Sequence, residues 1–166
     1  MALEAVPASS QSDGRWRITN VAAAVDASSV AVLDAGKPIT YGITEGGWDH
    51  QITQATVEDK RLTLIQDLSR PGKITETLNV TVVGSSDPDS ADRILAGLSV
   101  SGAESQFAVR RAVDNGDEHE VGQLVDIITG VVGVRRPDAP VENGVDTAQY
   151  SVSITKPTRR DVTLVA

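Results

Sequence analysis

The sequence predicts a mainly β fold: an antiparallel β-sandwich or partly open barrel with one short flanking α-helix. Three observations lead to this prediction. Polar and apolar residues alternate in many segments, the apolar residues are mainly aliphatic with only 3% aromatics, and a single segment has helical spacing. The chain of 166 residues is typical in length of one domain, which we expect at residues 15–166 after a flexible N-terminal arm at 1–14.

The clearest predicted strand runs from Lys73 to Val83. One of its faces is apolar except for Glu76, and the other is polar throughout, which is typical of a half-buried strand. The preceding run, Arg61–Leu68, alternates more loosely. Between the two runs, Ser69-Arg70-Pro71-Gly72 has the composition of a tight turn. The sequence therefore predicts a long β-hairpin that turns at Pro71 and Gly72.

Shorter alternating segments predict further strands. They are Arg15–Val25, Ile39–Thr44, His50–Val57, Ser105–Val113, Gln149–Thr155 and Asp161–Val165.

The segment Val121–Arg136 is apolar on both faces. A strand of this kind is buried either in the core of its own domain or beneath another subunit, and the sequence favours neither. Gly130 and Gly133 suggest a bulge or bend within it.

One helix is predicted at about residues 87–101. Asp87 is placed as its N-cap, with Pro88 at the first helical position and Gly102 as the closing residue. Its apolar stripe consists of Ala91, Ile94, Leu95 and Leu98. The acidic run Asp87–Asp92 could also be a calcium loop, but it lacks the central glycine and terminal glutamate of an EF-hand, so helix capping is favoured.

Composition excludes several classes of function. The formal net charge of −8 argues against a nucleic-acid-binding module, and the absence of cysteine excludes disulfides, thiolate nucleophiles and cysteine metal sites. His50 and His119 are far apart, and no nucleophile elbow or phosphate-binding loop is present, so we predict no catalytic, metal or cofactor-binding residues. No secretory signal or membrane-spanning segment is apparent, which favours synthesis in the cytoplasm.

Two charged features have alternative interpretations. The acidic segment Asp114–Glu120 is either a solvated loop or an electrostatic contact for another subunit, with the solvated loop favoured. Three arginine pairs lie in or beside predicted strands, so each pair should place one side chain on each face of the sheet. They are either ordinary surface charge or partners for the acidic loops of a neighbour. The pairs are Arg110-Arg111, Arg135-Arg136 and Arg159-Arg160.

Four stretches, in order, carry a resemblance to a known family. They are Ile43–Trp48 (ITEGGW), the block from Val57 to Val80, the apolar segment Val121–Val134 followed by Arg135–Asp138, and the C-terminal Lys156–Ala166. Together they cover most of residues 40–166. On these stretches the chain resembles the major tail proteins, or tail-tube subunits, of bacteriophages with long noncontractile tails, especially phages that infect actinobacteria.

The resemblance implies a structural virion protein that is not an enzyme and needs no cofactor. Subunits of that family form hexameric rings that stack into a hollow tube, and strands from all six subunits close an inner barrel through which DNA passes without specific binding. The implied partners are further copies of the chain and the tape-measure, tail-terminator and tail-tip proteins. The resemblance implies no association with a membrane. An N-terminal arm and a long loop typically bridge subunits or rings.

On this interpretation, the polar face of the hairpin is a candidate lumen wall: Thr63, Asp67, Thr75, Thr77, Asn79 and Thr81. Candidate contacts between subunits or rings are Leu3, Val6, Arg70, Asp117, Glu118, Arg135, Arg136, Arg159 and Arg160. Three other functions are alternatives: a monomeric β-sandwich binding or adhesion module, a capsid-decoration or head–tail joining protein, and a small hydrolase. Two-sided apolar strands disfavour the first, and the missing nucleophile motif disfavours the last.

Overall fold

The structure, a computed structural model, describes residues 12–60, 66 and 68–166. Its elements in chain order are β1 (Trp16–Ala22), α1 (Val30–Asp34), β2 (Lys37–Pro38), a 3₁₀ turn (Thr40–Gly42), β3 (Ile43–Asp59), β4 (Leu68–Val83), α2 (Ala91–Ser101), β5 (Glu104–Arg111), β6 (Leu124–Val132), β7 (Arg136–Pro137), β8 (Thr147–Ile154) and β9 (Arg159–Thr163). No helix among these elements has the length and apolarity needed to cross a bilayer.

The nine strands form one antiparallel sheet in the order β2-β1-β5-β6-β8-β4-β3, with β7 added to β8 and β9 added to β6. The sheet does not close on itself, because β3 and β2 stand at its two ends. The prediction of a mainly β, antiparallel fold with a short helix is confirmed.

Two hydrophobic cores lie on opposite faces of the central strands. The larger packs helix α2 against one face of the sheet, and its members include Leu95 of α2, Phe107 of β5 and Tyr150 of β8. The smaller lies beneath α1 and the C-terminal end of the chain, with Leu33 and Leu164 at its centre. Successive residues of a strand point to opposite faces, so β5 and β6 contribute to both cores.

This arrangement explains the two-sided apolar segment predicted at 121–136. Strand β6 is shorter than predicted, and it presents Val125 and Ile127 to the smaller core and Ile128 and Val132 to the larger one. Both faces are therefore covered by the chain itself. The predicted bulge at Gly130 is not present in the pairing with β8. A Cβ atom there would lie 2.6 Å from the Ser153 carbonyl oxygen, so this glycine permits a close approach of two backbones.

Helix α2 begins later than predicted. Its N-cap is Ser90, whose Oγ accepts a hydrogen bond from the Arg93 N–H at 3.3 Å, whereas the Asp87 carboxylate accepts from the Asp89 N–H in a turn that precedes the helix. The predicted N-cap was wrong because aspartate also stabilises such turns. The C-terminal prediction is confirmed, since Gly102 has a φ of +62° and caps the helix.

The predicted position of the hairpin turn was wrong. Pro71 and Gly72 lie within β4, and the partner strand is β3, which pairs with β4 out to Asp59 and Leu68. The register shifts between Gln54 and Thr56, opposite the Pro-Gly pair, and irregularities of this kind are where proline and glycine are tolerated inside strands. Most of the predicted strand Arg61–Leu68 lies outside the described residues, and Leu68 itself begins β4.

The predicted strand Ile39–Thr44 was also wrong in its first half. The Thr40 Oγ1 accepts a hydrogen bond from the Ile18 N–H at 2.8 Å, and the Gly42 N–H donates to the Ile39 carbonyl, which produces a 3₁₀ turn. A side-chain oxygen thus replaces a ladder hydrogen bond that a strand would have made. Strand β3 begins directly afterwards, at Ile43.

Candidate assembly surfaces

A polar face extends over three neighbouring strands on the side of the sheet away from the larger core. We define this polar sheet face by the paired outward side chains of β3, β4 and β8: Asp49, Gln51, Thr53, Thr75, Thr77, Asn79, Thr81, Gln149, Ser151 and Ser153. Directly opposed residues share a face, so the pairs Asp49–Asn79 and Asn79–Ser151 place these side chains in continuous rows. Asp49 is the one charged residue in this set.

Hydrogen bonds between side chains hold part of this face in place. The Ser151 hydroxyl donates to the Asn79 Oδ1 at 2.8 Å, and the Gln149 amide donates to the Asp138 Oδ1 at 2.9 Å. The Arg136 guanidinium lies beside this face and donates to the Ser151 Oγ at 3.4 Å. The surface is thus hydrophilic and built on paired strands rather than on loops, and it carries the carboxylate of Asp49 and the guanidinium of Arg136, a residue that pairs with Gln149.

Four predicted lumen residues belong to this face. Thr75 and Thr77 are exposed, and Asn79 and Thr81 are half-buried. Thr63 and Asp67 lie outside the described residues. The alternation that the sequence predicted for this strand is confirmed, since Leu78, Val80 and Val82 are buried on the opposite face. Whether the four residues face a lumen remains a prediction.

The strands β3 and β4 continue beyond the rest of the sheet. Strand β8 pairs with β4 only from Leu78 to Val83, so residues 51–59 and 68–77 form a two-stranded ribbon that we call the β-ribbon. Its side chains are mostly exposed, including four large apolar ones: Ile52, Val57, Leu68 and Ile74. Exposed apolar side chains on an open strand edge are typical of a surface that another chain covers.

A carboxylate on the β-ribbon has partners that the sequence did not reveal. The Glu76 carboxylate accepts hydrogen bonds from the Thr158 hydroxyl and the Arg160 guanidinium, and the His50 Nε2 lies 3.3 Å from its Oε2. Burial alone would raise the pKa of Glu76, but the hydrogen bonds from Thr158 and His50 and the charge of Arg160 outweigh it and lower the pKa. The sequence signal for this site was Glu76 itself, because it is the one charged residue on the otherwise apolar face of the strand.

The acidic loop 114–120 is folded around a buried cation. The Arg110 guanidinium is 1% exposed and donates to the carbonyl oxygens of Asp114, Asp117 and Glu118 at 2.6, 2.9 and 2.7 Å. Burial lowers the pKa of Arg110, and these three carbonyls replace the water that it loses. The loop is therefore ordered, with the side chains of Asp117 and Glu118 exposed.

The same loop contributes a buried histidine. The His119 Nδ1 lies 2.7 Å from the Asp34 Oδ1, which joins the loop to the end of α1. Burial lowers the pKa of His119 below its usual value, although the Asp34 carboxylate opposes this effect.

A buried carboxylate, Asp92, joins helix α2 to the sheet. The Asp92 side chain accepts hydrogen bonds from the Arg135 Nε at 2.8 Å and Nη2 at 2.9 Å, and from the Tyr150 hydroxyl at 2.6 Å. The Arg135 guanidinium lowers the pKa of Asp92 to about 2, and burial together with Asp92 raises the pKa of Tyr150. Sequence pattern alone does not reveal this site, because Asp92 fits the acidic run Asp87–Asp92 that favours helix capping.

The predicted arginine pairs have intrachain partners. Arg110 is buried whereas Arg111 is exposed, forms an ion pair with Asp126 and lies 5.2 Å above the Trp16 ring, so this pair is divided between two faces as predicted. Of the candidate subunit contacts, Arg159 pairs with Asp26 at 3.0 Å. The structure thus gives Arg135, Arg136, Arg159 and Arg160 roles within the subunit, and their contacts with a neighbour remain predictions. Leu3 and Val6 lie outside the described residues.

Within the described part of the chain, no group of three or more histidines or acidic residues is arranged to hold a metal ion. The described residues instead form a polar sheet face, an open strand edge, an exposed β-ribbon and an ordered acidic loop.

A family model described as "Phage tail tube protein" matches residues 4–166, which is nearly the whole chain. A search among curated proteins finds no match.

Proposed function

Because the chain belongs to the phage tail tube protein family, we propose that it forms hexameric rings that stack into the tube of a noncontractile tail and that DNA passes through this tube. Proteins of this family are structural parts of the virion tail, so the chain is a structural protein and not an enzyme. A phage that infects an actinobacterium is the proposed source, and the host cytoplasm is the proposed place of synthesis. The tape-measure, tail-terminator and tail-tip proteins are the proposed partners.

The observation that supports a conduit best is the polar sheet face. A surface along which DNA slides should be wetted by water but should not hold phosphate groups. The face provides Thr, Ser, Asn and Gln side chains with one carboxylate and one guanidinium, that of Arg136, and the chain as a whole carries a net charge of −8. We therefore propose that Thr75, Thr77, Asn79 and Thr81 line the lumen, with Gln149 and Ser151 beside them.

The open edge of the sheet supports ring closure. Strand β3 ends the strand order, and it is 17 residues long. Long open edges present unpaired backbone groups, and a single chain would ordinarily block them with charges, prolines or short strands. In the proposed ring, the edge of each subunit is covered by the next subunit, and the sheets join into one inner barrel. A monomeric binding module would leave this edge and the apolar residues of the β-ribbon in water.

The lumen assignment is testable with one added charge per subunit. Thr77→Lys should place a ring of lysines in the path of the DNA and slow its ejection from triggered virions by about tenfold at low salt, with recovery at high salt. Val100→Lys is the matched control, because Val100 is 90% exposed on α2 and the change adds the same charge outside the proposed lumen. Ejection is followed by the fluorescence of a DNA-binding dye. Equal rates for the two variants would contradict the assignment.

A further inference from the structure

The β-ribbon is the part of the subunit least supported by its own fold. From residue 68 to residue 77, strand β4 pairs with β3 but not with β8. Two-stranded ribbons are marginally stable and twist more than wide sheets do. The direction in which the β-ribbon leaves the sheet therefore needs support from outside the two strands.

Glu76 is placed to provide that support. It lies on the same side of β4 as the buried Leu78, and its side chain is 12% exposed although its neighbours Thr75 and Thr77 are exposed. Two hydrogen bonds tie the β-ribbon to a segment outside strands β3 and β4, from Thr158 and Arg160, and both end on this carboxylate. Hydrogen bonds to an ionised group are stronger than those between neutral groups.

Both donors belong to one connecting segment, residues 155–160, which we call the C-terminal strap. The strap joins the end of β8 to the start of β9 and is itself held at several points. The Thr155 N–H donates to the Thr129 carbonyl at 3.0 Å, Lys156 pairs with Glu104 at 2.7 Å, and Arg159 pairs with Asp26 at 3.0 Å. Glu76 thus connects the β-ribbon to a part of the chain that is anchored to β6, β5 and the loop after β1.

We propose that Glu76 is a positioning residue: by binding the C-terminal strap it fixes the direction of the β-ribbon, and so presents its apolar side chains to a second copy of this chain. The assembly part of this inference rests on the proposed function, whereas the orientation part concerns the free subunit. Ile52, Val57, Leu68 and Ile74 can meet a neighbour in register only if the β-ribbon projects in one direction. A loosely held β-ribbon would lose conformational entropy when the subunits assemble, whereas a β-ribbon that is already fixed would not.

The test compares Glu76→Gln with Glu58→Gln. Both changes remove one negative charge from the β-ribbon, but Glu58 pairs with Lys60 next to it, at 2.7 Å, and does not contact the strap. Spin labels can be placed without background because the chain has no cysteine. We suggest Ser69→Cys on the β-ribbon and Val100→Cys on α2, with the distance distribution measured by double electron–electron resonance in the unassembled subunit.

Glu76→Gln should broaden this distance distribution and lower the rate of tube assembly by about tenfold, whereas Glu58→Gln should leave both as in the unmodified chain. The double change Thr158→Val with Arg160→Ala removes the same bonds from the strap side and should reproduce the broadening. Combining this double change with Glu76→Gln should broaden the distance distribution little further, since the three residues form one network.

An unchanged distance distribution in Glu76→Gln would overturn the orientation part. A broadened distribution with assembly at the normal rate would overturn the assembly part. If the unmodified chain itself formed no tubes, the proposed function would fail while the distance measurement still decided whether Glu76 orients the β-ribbon. Circular dichroism and thermal unfolding of each variant separate loss of orientation from loss of folding.

Discussion

At the residue scale, two buried charges, Asp92 and Arg110, and one partly buried charge, Glu76, organise the polar parts of this fold. Asp92 binds Arg135 and Tyr150, Glu76 binds Thr158 and Arg160, and Arg110 binds the carbonyl oxygens of the acidic loop. Buried charges are tolerated where hydrogen bonds replace the lost water. Asp92 and Glu76 join segments that are distant in sequence, and so they specify how the elements meet, whereas Arg110 orders a loop only a few residues away.

Asp92 makes the stability depend on pH in acid solution. Its pKa is lowered from 3.8 to about 2 by the hydrogen bonds from Arg135, so the folded state binds a proton less readily than the unfolded state. The resulting stabilisation is present above pH 4 and is lost as the pH falls towards 2. From the size of the pKa change it amounts to about 2 kcal/mol.

Asp92→Asn should therefore lower the free energy of unfolding by about 2 kcal/mol at pH 7 and weaken its dependence on pH between 4 and 2. Urea unfolding at several pH values measures both quantities. Asp89→Asn is the control, because Asp89 is 91% exposed and lies 3.8 Å from Lys37, an exposed pair that should contribute little. Equal losses in the two variants would show that the buried ion pair does not stabilise the fold.

At the element scale, one glycine within helix α2 and one directly after it lie in contrasting environments. Gly97 lies within the helix, and a Cβ atom there would meet nothing within 4 Å. Gly102 follows the helix with a φ of +62°, where a residue with a side chain is strained.

Alanine substitutions at these glycines should therefore have opposite effects. Gly97→Ala should stabilise the subunit by about 0.5–1 kcal/mol, because glycine is a poor helix former. Gly102→Ala should destabilise it by about 1 kcal/mol, because alanine pays for the left-handed conformation. Thermal unfolding by calorimetry measures each change. Shifts of the same sign would contradict the assigned end of the helix.

Local patterns predicted some elements better than others. The alternation in Lys73–Val83 and the stripe of α2 are properties of the residues themselves, and both are confirmed. The prediction of a turn at Pro71-Gly72 was wrong, since the same two residues also fit an irregularity between long strands. The pairing of β4 with residues 43–59 places them within the strand. The partners of Glu76 and Asp92 could not be predicted, because they depend on contacts across 43 to 84 positions of sequence.

At the scale of the whole molecule, the subunit has surfaces that are typical of a protein that assembles with further copies. The sheet has a long open edge, the β-ribbon exposes apolar side chains, and one broad face is polar with mostly neutral side chains. Sequence composition indicates an acidic structural β-protein. The four stretches that resemble tail-tube subunits, in the same order along the chain, predict the family, and the family match confirms it. The lumen and interface residues remain predictions, because the packing of one subunit on another is not encoded in local patterns.

The measurement that tests the central claim most directly is electron cryomicroscopy of the protein purified at high concentration with its tail-initiation complex. We predict hollow tubes of stacked rings with sixfold symmetry, with Thr75, Thr77, Asn79 and Thr81 on the inner wall and the edge of β3 paired with a neighbouring subunit. A chain that stays monomeric under these conditions, or tubes that carry the polar sheet face on their outer surface, would contradict the account.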